Sequence, residues 1–395
     1  MSTADTATRG TPTRALTLAA YASFVPIGII TVLLGPLLPI LSDKWALNYA
    51  QAGALVTTQF LASTIAVGLS GILVSRFGFR FAIKAGLVLS GLGVAALPGS
   101  SHMLGMICVA GYGAGLGLAV PAANLLVAEV NSTRRSSALN TLNFCWSLGA
   151  VACPFLVAAA AKSRHIPTLL LLVAALSLLV AICISVMPSS IVEPATVRIG
   201  GGKAIEWKRA SLFVLAALFF IYVGTENGFG LWVASYSKSL GNLTTAMAVM
   251  TPSFFYASLT FGRWVAPLLL REIDDVAVAR VGVLVACGGM AGLLVSRSLP
   301  GVIASACVAG LGLSSVYPIT ISLLSREFGP LASRIGSIMF TMANLGGSAM
   351  PWLVGVSSTH FASLRAGLAV PLIGVAVMFF LYLRRWNSVD TLPSQ

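Results

Sequence analysis

The sequence predicts an all-α integral membrane protein, with twelve transmembrane helices in two pseudo-symmetric six-helix bundles and both termini cytoplasmic. Three observations predict it. Of 395 residues, 57% are hydrophobic and only 9% charged, where a soluble chain of this length carries roughly a quarter charged residues. Apolar runs near or above about 20 residues, enough to cross a bilayer, recur from end to end. The two halves of the chain also repeat each other at a fixed offset.

The chain opens with MSTADTATRGTPTR, a polar stretch read as a flexible cytoplasmic N-terminus over 1–14. The next apolar run, from about 15 to 41, is too long for a signal-peptide core and lacks a convincing cleavage site, so it stays as the first span. Further spans are expected near 52–75, 82–100, 103–129, 137–161 and 166–187, which completes an N-terminal bundle over 15–187. A polar stretch, PSSIVEPATVRIGGGKAIEWKR, forms a cytoplasmic linker over 188–209. The second set runs near 210–237, 245–270, 276–296, 299–325, 333–357 and 362–383, a C-terminal bundle over 210–383 followed by a cytoplasmic tail over 384–395.

Charge placement sets the orientation. With both termini cytoplasmic, eighteen of the 24 lysines and arginines fall on inner segments. The outer loops keep six: Lys44, Lys162, Arg164, Lys238, Arg297 and Arg365. That bias is the positive-inside pattern, and it accounts for the net charge of +13 without a nucleic-acid partner. No segment interleaves basic and aromatic residues as a strand-binding groove would. The expected location is the plasma membrane, a bacterial inner membrane, as a multi-pass protein among lipids.

Several chemistries are disfavoured. The six cysteines lie in apolar segments and read as buried small hydrophobes, with no metal-ligand spacing. His102, His165 and His360 are scattered in or beside outer loops and form no metal or catalytic set. No Walker-type phosphate loop occurs, which disfavours ATP-driven transport. No cofactor, metal, catalytic residue or enzyme activity is expected.

The repeat is legible in GYGAGLGLAVPAANLLVAE (111–129) and GLGLSSVYPITISLLSRE (310–327). Pro121 and Pro318 are 197 residues apart, and the same offset pairs Gly113 with Gly310, Gly115 with Gly312, Gly149 with Gly346 and Pro154 with Pro351. Six spans, a linker and six more resemble the parallel-repeat plan of the major facilitator superfamily, whose two bundles rock about a midplane site. Glycine and proline mark close packing and bends, so the fourth and tenth spans are expected to be pliable. GILVSRFGFR (71–80) resembles that superfamily's loop motif. It keeps Gly71, Arg76, Gly78 and Arg80, with Ser75 where an acid usually sits. The resemblance implies that these arginines latch the cytoplasmic faces of the bundles, more weakly without the acid. GRWVAPLLLR (262–271) is a fainter echo, and Arg263 is expected near the cytoplasmic end of the eighth span, snorkelling or bracing a gate.

Four stretches resemble one branch, the fucose:proton symporters and related sodium-glucose cotransporters. They are PAANLLVAEV (121–130), LNTLNFCWSLGAVACPF (139–155), YVGTENGFGLWVASY (222–236) and VYPITISLLSREFGPLASRIGSIMFTMANLGGSAMPWLVG (316–355). That branch uses an acid in the first helix and another before the AAN of the fourth, and both positions carry valine here, Val32 and Val120. Its sugar-contacting Gln and Asn of the fifth helix fall on Asn143 and Trp146, and Asn124 matches the AAN. The resemblance therefore implies the fold, while fucose specificity and that proton route do not carry over.

Glu226 stands out as an acid about 16 residues into the seventh span, roughly 24 Å along a helix. One reading makes it a proton- or sodium-responsive carboxylate, since burial favours a neutral carboxyl and intramembrane acids are functional by default. The other makes it a structural acid bonded to backbone of a helix broken around Gly224 and Gly228, where freed backbone groups could bind solute. The amides Gln59, Asn124, Asn140, Asn143, Asn227 and Asn344 should face the bundle interior. Trp146, Tyr222, Trp232, Tyr236, Tyr256, Tyr317 and Trp352 could offer aromatic faces to sugar C–H surfaces, or serve in packing and interfacial belts. Glu129, Arg134 and Arg135, with Arg326, Glu327 and Arg334, read as membrane-surface charge clusters.

The leading expectation is an alternating-access secondary transporter of a small polar solute, foremost a monosaccharide, coupled to protons or sodium through Glu226 and working as a monomer. The solute would bind near the midplane between the bundles, around Asn124, Asn143, Trp146, Glu226 and Asn227. A passive sugar facilitator, an efflux antiporter for amphipathic compounds and a non-transporting scaffold remain as alternatives.

Overall fold

A computed structural model of the chain describes residues 3–131, 134–187, 210–241, 243–270, 272–328 and 332–384, and its regular structure is all helical. The expected linker over 188–209 and, beyond residue 384, the expected tail lie outside the described residues. The first half holds α1 (Thr3–Val32), α2 (Leu34–Trp45), α3 (Tyr49–Phe77), α4 (Phe79–Ala96), α5 (His102–Val130), α6 (Arg135–Ser163) and α7 (Ile166–Ser185). The second holds α8 (Ala210–Gly230), α9 (Val233–Ser239), α10 (Thr245–Val249), α11 (Thr251–Leu269), α12 (Asp275–Val295), α13 (Leu299–Leu313), α14 (Val316–Phe328), α15 (Ala332–His360) and α16 (Leu364–Tyr382). Among the described residues, ten helical segments are long and apolar enough to cross a membrane. Two further helices, α11 and α15, of 19 and 29 residues, stand where the eighth and eleventh spans were expected. The N-terminal stretch expected to be flexible is helical from Thr3 onward, continuous with the first span.

Proline chemistry accounts for three helix breaks. Pro36 has no N–H for the carbonyl of Val32, and the chain turns at Leu33 between α1 and α2. Pro252 likewise frees the carbonyl of Ala248, and the Thr251 hydroxyl takes it at 2.8 Å. Pro318 follows the break at Ser314 and Ser315 between α13 and α14. Its repeat-mate Pro121 lies inside an unbroken α5, so of the two spans expected to be pliable only the tenth is interrupted. The starts of α5, α10, α12 and α13 are fixed by side-chain caps from Ser101, Thr244, Asp274 and Ser298.

The chain divides into two compact units. One comprises Met1–Leu47, Ala54–Val197 and Thr244–Ser253, and the other Asn48–Gly53, Arg198–Leu243 and Phe254–Gln395. The division differs from a single cut in the linker by two short segments. Thr244–Ser253 joins the first unit, where Ser253 Oγ donates to the Val151 carbonyl at 2.9 Å. Asn48–Gly53 joins the second, where Ala50 N–H donates to Thr359 Oγ1 at 2.9 Å.

The repeated glycines are helix-crossing points, and they recur at equivalent places in each unit. In the first, a Cβ on Gly28 or Gly149 would run into the backbone where α1 crosses α6; in the second, one on Gly346 would run into the carbonyl of Phe220 where α8 crosses α15. Gly115 packs on Gly86 between α4 and α5, as Gly312 packs on Gly282 between α12 and α13. Small residues let two backbones touch, which maximises dispersion contact where lipid supplies no hydrophobic drive. Cysteines follow the expectation only in part: Cys108 and Cys153 are buried, whereas Cys183 is exposed. An apolar thiol on an outward face of a membrane helix meets lipid and carries no penalty.

Candidate functional site

In the second unit a charged pair and several aromatic rings gather around the middle of α8. Phe219, Tyr222 and Glu226 follow each other at spacings of three and four and share one helix face. Arg263, on α11, brings Nη2 to 3.9 Å from Glu226 Oε1, with the glutamate side chain 13% and the arginine 26% exposed. The Tyr222 hydroxyl donates to the Leu313 carbonyl at 3.2 Å and is close enough to interact with both members of the pair. Its ring stacks on Tyr317 at 5.2 Å, while Phe219 meets Tyr317 edge-on at 5.6 Å and Phe340 at 6.0 Å. A lone acid in an apolar helix is expensive; this one has a cation opposite it. The structure sets Arg263, which the sequence suggested would snorkel or brace a gate, against Glu226.

The other candidates in this unit vary in what they leave free. Asn227 spends a donor on its own helix, Nδ2 to the Val223 carbonyl at 2.8 Å. Asn344, on α15, is partly buried. Tyr256 is 3% exposed, edge-on to Phe255 at 5.2 Å. Trp232 is fully buried and donates its indole N–H to the Pro351 carbonyl at 3.0 Å, a packing role that leaves no ring face open to a solute. The expected break around Gly224 and Gly228 is absent: α8 runs unbroken through both, and the chain turns later, at Leu231 and Trp232. Gly224 serves instead for close approach to Gly346 and Met350 on α15. Solute-binding backbone at Glu226 is thereby corrected, because those amides stay within the helix.

The first unit holds an uncharged network. Gln59 is buried and donates from Nε2 to the Thr31 carbonyl at 3.0 Å, while its Oε1 accepts from the Tyr112 hydroxyl at 3.0 Å. Trp146 donates its indole N–H to Thr31 Oγ1 at 3.4 Å. Thr31 precedes Val32, which is buried at the position of the branch's missing acid. Sequence reasoning passed over Thr31 and Tyr112; the nearby Pro36 was the available signal, since it disturbs the helix backbone that Gln59 then ties down. Asn124 and Asn143 each donate to a carbonyl four residues back, Val120 and Leu139. Asn140 and Asn143 are exposed.

In the loop motif, Arg76 is exposed and Gly78 turns the chain at φ 84°. Arg80 donates from Nη2 to the carbonyls of Ile184 at 3.0 Å and Met187 at 2.6 Å, at the end of α7. Gly71 has open space beside it, and Ser75 bonds back to Ile72 at 2.9 Å. Arg326, expected in a surface cluster, binds both oxygens of Asp275 at 2.8 and 2.9 Å. Among the described residues, no cluster of His, Cys, Asp and Glu could hold a metal ion.

The model of the Major Facilitator Superfamily matches residues 20–351. The chain is 25% identical over 378 residues to a protein of Brucella abortus biovar 1 named glucose/galactose transporter, covering 89% of this chain and 90% of that one. It is 22% identical over 419 residues to mouse sodium-dependent glucose transporter 1A, covering 94% and 96%. Among solved structures it is similar to the superfamily transporter FucP in the outward conformation, with a TM-score of 0.64 and 19% identity over 94% of this chain and 98% of the other.

Proposed function

The chain belongs to the Major Facilitator Superfamily, and we propose that it is an alternating-access secondary transporter of a monosaccharide-sized polar solute. The observation that carries the reading is the Glu226–Arg263 pair, held inside an apolar helix set and walled by the stacked rings of Tyr222 and Tyr317. A sugar offers hydroxyls to charged and amide groups and C–H faces to aromatic rings, and few-polar, aromatic-rich sites are the usual form of small-molecule pockets. The sugar-transporter names of its relatives support the same class. In the proposed arrangement twelve spans cross a bacterial inner membrane, bundles over 15–187 and 210–383 work as a monomer, and both termini are cytoplasmic. Glu226 is the proposed coupling group for a proton or sodium ion. Asn124, Asn143, Trp146, Asn227, Tyr256, Tyr317 and Asn344 remain candidate solute contacts.

A second reading, a passive facilitator, is favoured by the valines at 32 and 120 and by the compensation that Arg263 gives Glu226. The test is a thermal-shift screen of monosaccharides against lipophilic cations, then counterflow with any hit. Stabilisation by lipophilic cations and by no sugar would reassign the protein to efflux.

A further inference from the structure

Two ion pairs in the second unit are built differently. Arg326 Nη1 binds both carboxylate oxygens of Asp275 at hydrogen-bond length, 2.8 and 2.9 Å. Arg263 approaches Glu226 only to 3.9 Å, beyond hydrogen-bond length. A purely structural ion pair inside a membrane helix should be the tighter of the two, because desolvated charges are compensated only by good geometry and added hydrogen bonds. Arg263 balances the charge of Glu226 without a direct hydrogen bond to it, the Tyr222 hydroxyl lying beside both, and its planar fork of five N–H donors matches a carboxylate with two bonds at once. A sugar hydroxyl takes a single neutral hydrogen bond from a guanidinium, whereas a carboxylate takes two charge-assisted ones.

We infer that the solute is an acidic monosaccharide, a hexuronate-like anion whose carboxylate takes the place of Glu226 on Arg263. The inference rests on the sugar-transporter reading and narrows its substrate class. The groups facing the pair are Tyr222 on α8 itself and Tyr317 on α14, while α15 and α16 bring Gly346, Met350 and Gly374 to α8. As the anion binds, Glu226 accepts one proton and the solute carboxylate pairs with Arg263. As it leaves, Glu226 gives up the proton and returns to the arginine. One negative and one positive charge move together, so the cycle is electroneutral, and no covalent bond of the solute changes.

The test uses the full chain in proteoliposomes with D-glucuronate and D-glucose, which share a ring and differ at the terminal carbon. The expected result is glucuronate binding at least about tenfold tighter than glucose, and uptake driven by an inward proton gradient but unmoved by membrane potential. Arg263→Gln should shrink the glucuronate-to-glucose preference at least about tenfold. Should Arg263→Gln fail to fold, the double variant Glu226→Gln/Arg263→Gln removes both charges and must show the same collapse of preference. Glucose bound as tightly as glucuronate, or a preference untouched by these variants, overturns the inference. Transport of glucose without glucuronate overturns it while the sugar reading stands, and transport of neither overturns both.

Discussion

Arg280 donates from Nε to the carbonyl oxygen of Tyr382 at 2.9 Å, closing the end of α16. Arg80 does the same at the end of α7 through Ile184 and Met187. Each half thus uses an arginine near the start of its third span to satisfy carbonyls that its last helix leaves unpaired. The positive charge also complements the negative end of that helix. Arg80→Ala and Arg280→Ala should each destabilise by about 1.5–3 kcal/mol, the range for hydrogen bonds to charged groups. Thermal melts in detergent check this. If Arg80 served only as a latch between bundles, its loss would alter transport and leave the melting temperature unchanged.

The glycines make a sharper contrast. Gly346→Ala sets a methyl against the carbonyl of Phe220, while Gly288→Ala, on α12, meets nothing within 4 Å. The first should cost about 1–3 kcal/mol or more through forced separation of α8 and α15. The second should be neutral or stabilising by up to about 1 kcal/mol from helix propensity. Yields of folded protein and melting temperatures of the two variants, compared side by side, decide it.

Composition, apolar run lengths and the 197-residue offset make the helical membrane class and the repeat legible before any coordinates, because lipid forces long apolar helices and close crossings force glycine. Gly149 and Gly346 were visible as a pair, but their partners Val25 and Phe220 were not. Long-range partners escape sequence for the same reason at the site. Glu226 was conspicuous as an acid in an apolar run, yet Arg263, 37 positions away, looked like a residue of the membrane edge. Helix α11 brings it to α8, and nothing local in GRWVAPLLLR encodes that. The break after Gly230 was misplaced because glycine marks both bends and contacts, and at Gly224 the contact won.

The network at Gln59 predicts an order of effects. Gln59→Leu leaves the Tyr112 hydroxyl and the Thr31 carbonyl without their buried partner, and unsatisfied buried groups cost about 1–3 kcal/mol each. Tyr112→Phe removes only one donor and leaves Gln59 still bonded to Thr31. Gln59→Leu should therefore lower the melting temperature more than Tyr112→Phe. Equal melting temperatures would mean that water replaces the lost bonds and that the network adds little to stability.

Glu226→Gln separates coupling from structure. The amide keeps the size of the side chain and can still accept a hydrogen bond, so substrate access and the two-way movement of a loaded carrier should survive. What it loses is the ability to take up and release a cation. Arg263 then faces a neutral partner, and an unpaired buried charge costs about 3–5 kcal/mol, although its 26% exposure lowers that figure. Counterflow exchange of the transported solute should persist, while accumulation against a gradient, driven by imposed pH or sodium differences, should disappear. Undiminished accumulation would remove Glu226 from the coupling role and leave the pair as a structural device. Loss of both accumulation and exchange, with an unchanged melting temperature, would assign the carboxylate to solute binding.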